Sequence, residues 1–197
     1  MTTVDAISTR PSVAQSRPNR WEGQLFGGLV LAAFVLYGVG SALGNESIGL
    51  ALVVANSVAV TVVGIIGFRV LRNQDSKIAA AYLAARVTEA VLLAGGIALH
   101  TIADVSGADN TGYLLAMSAL GVGSVPFWRA IGRGPGLPNG FALWGVAGYV
   151  ALTAGAALEL ATGRGVAAAF SIPGGLFEIA VGIYLLRRGF WNERRNA

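Results

Sequence analysis

Four polar side chains interrupt long apolar stretches of this chain: Asn56, Arg86, Glu89 and Glu178. Glu89 follows Arg86 by three residues, a spacing that puts both on one face of a helix and lets them meet as a pair. At 1.5 Å of helix rise per residue, Arg86 stands about 13 Å beyond Lys77, Glu178 about 13 Å from Arg187, and Asn56 about 20 Å from Arg69. If these stretches cross a bilayer, three helices bring all four residues to one mid-membrane layer. Each charge there costs about 2.5–3.5 kcal/mol on insertion scales, so the side chains are expected to face inward and pair. A guanidinium can fork onto one carboxylate and share a second, and Asn56 is expected to add hydrogen bonds. The count is one positive charge against two negative. One of Glu89 and Glu178 is therefore expected to hold a proton, or the site to admit a cation or proton.

Pro173, with Gly174 and Gly175, is expected to break the same helix one turn from Glu178, because proline removes a backbone hydrogen bond and frees the carbonyl near Ala169. A broken helix beside a buried carboxylate is a frequent form of binding cavity, and kinked packing without a ligand is the competing reading. Pro126 is expected to bend its helix just before Phe127-Trp128-Arg129. His100 and Asp104, four apart, share a face if their helix continues. A hydrolytic triad with Ser106 has no specified oxyanion donors. One histidine and no cysteine leave no metal site, and no cofactor is implied. The many glycines lack a strand-turn-helix context, so they read as close helix packing and not as a phosphate cradle.

The elements that must carry these residues follow from composition. The 197 residues are 54% hydrophobic and 12% charged, about half the charged share of a soluble domain. A bilayer core about 30 Å thick needs roughly 20 apolar residues per helix. Six such runs occur, near 25–43, 49–71, 78–102, 111–131, 140–161 and 166–188. They are continuous and do not alternate, which predicts helices and excludes a β-barrel. The fold class is an all-α polytopic bundle with six spanning helices: a disordered cytoplasmic tail over 1–23, a membrane domain over 24–190 and a short basic tail over 191–197.

Basic residues set the orientation. With the N-terminus inside, Arg10, Arg17, Arg20, Arg69, Arg72, Lys77, Arg129, Arg133, Arg187, Arg188, Arg194 and Arg195 are cytoplasmic and only Arg164 lies outside, where Glu46, Asp104 and Asp109 gather. The net charge of +4 is dispersed between apolar runs, so topology explains it and a nucleic-acid surface does not. Trp21, Trp128, Trp144 and Trp191 all fall near that cytoplasmic side and are expected to anchor at the headgroups. One lysine among fourteen basic residues points to a bacterial coding bias, hence to the cytoplasmic membrane of a bacterium.

The chain resembles a bacterial family known as a domain of unknown function, the 4386 family. The resemblance is carried by Asn56-Ser57, by Tyr82 with Arg86 and Glu89, by Pro126 to Arg129, and by Pro138, Gly140, Trp144-Gly145 and Gly148-Tyr149. It continues through Ile172-Pro173-Gly174-Gly175-Leu176-Phe177-Glu178, Gly182, Leu185 and Gly189-Phe190, so that it covers nearly everything after the tail. It implies about six membrane helices and brings no substrate or reaction. Three functions are open. The first is a small transporter or ligand-binding protein using Arg86, Glu89 and Glu178, with a small molecule, lipid or cation as ligand. The second is an intramembrane enzyme acting on a lipid or isoprenoid, with a glutamate as general acid. The third is a structural or accessory subunit whose charges only fix the helices.

Overall fold

Each apolar run folds as one helix. The computed structural model describes residues 20–43, 47–134 and 137–190. Its helices are α1 (Arg20–Leu43), α2 (Ser47–Leu71), α3 (Ser76–Ala103), α4 (Ala108–Ile131), α5 (Asn139–Thr162) and α6 (Ala167–Arg188). All six are long and apolar enough to cross a membrane, and no strand occurs among the described residues. Their outward surface is apolar, as lipid requires: Val35, Val122 and Leu143 are exposed at 64%, 67% and 72%.

Helix ends lie where local chemistry stops the ladder. Asp75 caps α3 by accepting the Ile78 N–H at 3.0 Å. The far end of α3 closes at Asp104, in the left-handed region at φ 53°. Because the helix stops there, His100 turns toward Asp109, with Nδ1 3.7 Å from its carboxylate, and not toward Asp104. One proline expectation needs correction, the break foreseen at Pro173. α6 runs unbroken through Pro173, Gly174 and Gly175, and α4 is continuous through Pro126. The Trp144 indole N–H donates to the carbonyl of Pro173 itself at 3.0 Å and so ties α5 to α6 at this point. The N-terminal boundary also moves. Arg20 to Gly23, expected in the tail, form the first turn of α1, because Glu22 pairs with Arg69 at 3.0 Å and Gly23 packs on the Gly189 backbone. The rest of the tail, Glu46 and Trp191 lie outside the described residues.

Every helix packs on its sequence neighbours, and α1 closes on α6, giving an up-and-down ring of six helices. Near the α2–α3 and α4–α5 connections the ring is filled. Trp128 meets Phe26, Phe127 and Phe177 edge-on at 6.2, 5.2 and 4.9 Å, and Phe26 meets Phe190 at 5.1 Å. Glycines close the wall around this plug. A Cβ at Gly27 would strike the Gly182 carbonyl, and one at Gly23 would lie 2.6 Å from Gly189 Cα. Farther along α1 the seam with α6 loosens, for a Cβ at Gly38 would meet nothing within 4 Å. The ring is thus plugged at one end and loosened at the α1–α6 seam toward the other, while α1–α2 and α3–α4 stay in close contact there at Gly40, Gly96 and Gly112.

Candidate functional site

The cluster rests on a shelf cut by two glycines. Gly64 and Gly67, one turn apart on α2, leave room for α3 to approach: a Cβ at Gly64 would lie 2.7 Å from Arg86 Cβ, and one at Gly67 2.8 Å from Tyr82 Cδ1. Tyr82 is held flat by Phe127, with ring centroids 3.8 Å apart and 12° between planes. Its hydroxyl accepts from Arg86 Nε at 3.0 Å, which aims the guanidinium across the ring. From there Arg86 Nη1 donates to Glu89 Oε2 at 2.9 Å and Nη2 to Glu178 Oε1 at 3.2 Å. Nη2 also lies 3.5 Å from the Tyr149 hydroxyl, which itself donates to Glu178 Oε1.

Arg86 is 3% exposed and Glu89 4%, so both are out of bulk water. The pairing expected from the sequence is present, and one arginine joins α3 to α6. Asn56 departs from expectation. It is buried and faces the same space, yet it donates to none of these groups and makes no hydrogen bond among the described residues. Tyr82 and Tyr149 enter the cluster in the role foreseen for it. For Tyr82 a signal was available, since it precedes Arg86 by one helical turn and so shares its face.

The cluster floors a cavity of about 220 Å³ to which all six helices contribute. Val30, Val60, Leu93, Leu120 and Leu152 make its walls apolar, while Asn56, Arg86, Glu89, Tyr149 and Glu178 gather as its polar part. Below this layer the aromatic plug begins. Above it, Tyr37 and Tyr113 stack with centroids 5.8 Å apart, and Tyr113 shares a 3.3 Å hydrogen bond with Ser171. The same two tyrosines line a second cavity of about 380 Å³ beyond them, with His100, Asp109 and Glu159 on its wall. Glu159 also accepts the Ala167 N–H at 2.7 Å and so serves the free start of α6, a role its place near a helix end did not announce. On the lipid side the inner cavity reaches Phe34, Gly38 and Gly175, at the loosened α1–α6 seam.

The tryptophans expected at the headgroups divide. Trp21 is exposed at 50%, in keeping with an interface position. Trp128 is a correction: at 1% exposure it is the centre of the plug, because the side of its helix that carries it faces inward. Trp144 is partly exposed, but its N–H is engaged by the Pro173 carbonyl. Among the described residues no group of acidic or histidine side chains is arranged to hold a metal ion.

Fold and site together define a multi-pass helical membrane protein with a buried ion-pair cluster inside a ring of helices. Residues 98–189, from the end of α3 through α6, match the family described as a domain of unknown function (DUF4386), the same family that the sequence resembles. The matched segment carries Tyr113, Tyr149, Pro173 and Glu178, while Asn56, Tyr82, Arg86 and Glu89 precede it. No curated protein and no solved structure matches the chain.

Proposed function

We propose that this chain is a small ligand-binding or transport protein of the bacterial cytoplasmic membrane, with both termini in the cytoplasm. Its inner cavity receives a small amphipathic molecule whose polar end lies against the layer of Arg86, Glu89, Glu178 and Asn56. The observation that carries this reading is the position of the ion cluster. It floors a cavity bounded by all six helices, where a cluster serving only to lock helices would be packed on every side. The unbonded Asn56 amide on that floor adds to it, since a buried amide without a partner costs about 1–3 kcal/mol unless something else satisfies it. Orientation is supported by the arginines at the plugged end.

The loosened α1–α6 seam at Gly38 supports access from the lipid phase, which also favours a second reading, an enzyme acting on a lipid with Glu178 as general acid. The ligand-binding reading is tested by native mass spectrometry of the full chain released from its membrane in mild detergent. A small molecule should remain bound to the wild type and be lost from Leu152→Trp, which fills the cavity away from the charges. Retention in both variants would place the molecule elsewhere and defeat the reading.

A further inference from the structure

We propose that the inner cavity selects an organic cation, an ammonium head on a compact apolar body, with the head lodged among Glu89, Glu178 and Asn56. This rests on the reading of the cavity as a ligand site and adds the charge of the ligand. Arg86 looks at first like an anion receptor, but four of its five N–H donors are engaged. All three guanidinium nitrogens already donate within the protein: Nε to Tyr82, Nη1 to Glu89, and Nη2 to Glu178. An incoming carboxylate or phosphate would have to displace one of two carboxylates already in place and would bring a third negative charge into a layer that holds one positive.

The acceptors are in the opposite state. Each glutamate uses one oxygen on the cluster, and neither Glu89 Oε1 nor Glu178 Oε2 has a hydrogen bond among the described residues. The Asn56 amide, 2% exposed, is likewise unbonded and lines the same space. The unused capacity of the floor is therefore mainly for a donor. A lone ammonium supplies up to three N–H groups and the one positive charge that balances two carboxylates against Arg86. The remaining wall is aliphatic and aromatic. It suits an organic body and offers a metal ion too few oxygens, since hard cations take six or more. Tyr149 and Phe34 also line the cavity, and aromatic ring faces attract ammonium heads.

The test uses three probes with one body and three charges: 1-aminoadamantane, 1-adamantanol and 1-adamantanecarboxylic acid. Each is titrated against radiolabelled 1-aminoadamantane bound to the full chain in lipid nanodiscs, with empty nanodiscs correcting for partition into lipid. The amine should bind saturably and roughly tenfold or more tighter than the alcohol, with the acid weakest, because a hydrogen bond to a charged group contributes about 1.5–3 kcal/mol. Glu178→Gln should weaken the amine by roughly tenfold and leave the alcohol unchanged. Asn56→Leu, which touches no ion pair and keeps the side-chain volume close, should also weaken the amine selectively if Glu178→Gln fails to fold. An amine no better than the alcohol, or an acid that binds tightest, overturns the cation proposal and leaves the cavity reading standing. Absence of saturable binding by all three probes overturns both.

Discussion

Replacing Arg86 with methionine removes one side chain that satisfies four others. The guanidinium is 2.9 Å from Glu89 and 3.2 Å from Glu178, with the Arg86 side chain 4% exposed and that of Glu89 6%. Without it, two carboxylates face each other across the ring, and Tyr82 loses the donor to its hydroxyl oxygen. Removing one partner of a buried pair costs about 3–5 kcal/mol. Two corrections reduce this. Tyr149 still donates to Glu178, and the unfolded helix in a membrane finds partners of its own, which holds polar contacts between membrane helices to about 1–2 kcal/mol in model peptides. The expected loss for Arg86→Met is therefore about 3 kcal/mol, at the low end of the buried-pair range.

The comparison that decides the matter is the triple variant Arg86→Met, Glu89→Gln, Glu178→Gln. It removes every charge from the layer while keeping volume and hydrogen-bonding atoms for the two tyrosines, so its stability should stay within about 1 kcal/mol of wild type. The single variant should thus be less stable than the triple by about 2 kcal/mol, roughly thirtyfold in the folded-to-unfolded ratio. Reversible unfolding in mixed micelles titrated with dodecyl sulfate measures both, with Trp128 fluorescence reporting the plug beneath the cluster. A single variant as stable as the triple would refute the claim that Arg86 is the common partner of both glutamates.

Two further outcomes follow from the packing and from the charge pattern. Gly67→Ala places a methyl 2.8 Å from Tyr82 Cδ1 and 3.3 Å from Phe127 Cε2, so it should cost about 1–3 kcal/mol by overpacking. Gly38→Ala, with nothing within 4 Å, should gain about 0.5–1 kcal/mol from helix propensity; equal effects in the same unfolding assay would contradict the tight α2–α3 contact. The chain has no cysteine, so single cysteines report topology cleanly. In intact cells Ser106→Cys should react with a membrane-impermeant maleimide and Gln74→Cys only after permeabilisation, and the reverse pattern would invert the proposed orientation.

How far the sequence carries depends on the kind of information each residue bears. Helix spans are legible because a run long enough to cross lipid has few alternatives: 49–71 becomes Ser47–Leu71, and 78–102 becomes Ser76–Ala103. Depth is legible too, because helix rise is constant, and this places Arg86 level with Glu178. Azimuth is not legible where the surroundings are apolar on every side. Trp128 and Trp21 both lie near helix ends, yet one turns inward and the other outward, and hydropathy cannot tell a lipid face from a plug. Asn56 differs in another way: it faces inward, but the α2 residue against Arg86 is Gly64, eight residues on and about 12 Å of helix rise away, so Asn56 stands off the guanidinium by its level along the helix. Tyr82 is legible from its spacing to Arg86, but Tyr149 is not, since it lies on another helix and a tyrosine there reads as an interface residue until its hydroxyl is seen against a guanidinium.

Glycines close most of the ring along its whole length and leave one seam loose. Tight contacts fall below the charged layer at Gly23, Gly27 and Gly182, beside it at Gly64, Gly67 and Gly148, and above it at Gly40, Gly96 and Gly112. A helix pair held at such contacts resists separation, because the close packing is lost as soon as the backbones part. Above the layer the seam is loose at Gly38, and the inner cavity is divided from the outer one by the stacked pair Tyr37 and Tyr113. A ligand entering from the outer cavity would meet this stacked pair on the way in and a packed floor at the end. For simple capture nothing more is needed. For transport across the membrane the plug of Phe26, Trp128 and Phe177 must also repack, together with the α1–α6 contact that closes over it. Substitutions at Gly27 or Gly182 that stiffen or pry apart this contact should then change transport while leaving binding at the floor intact, whereas a pure binding protein would show no such separation.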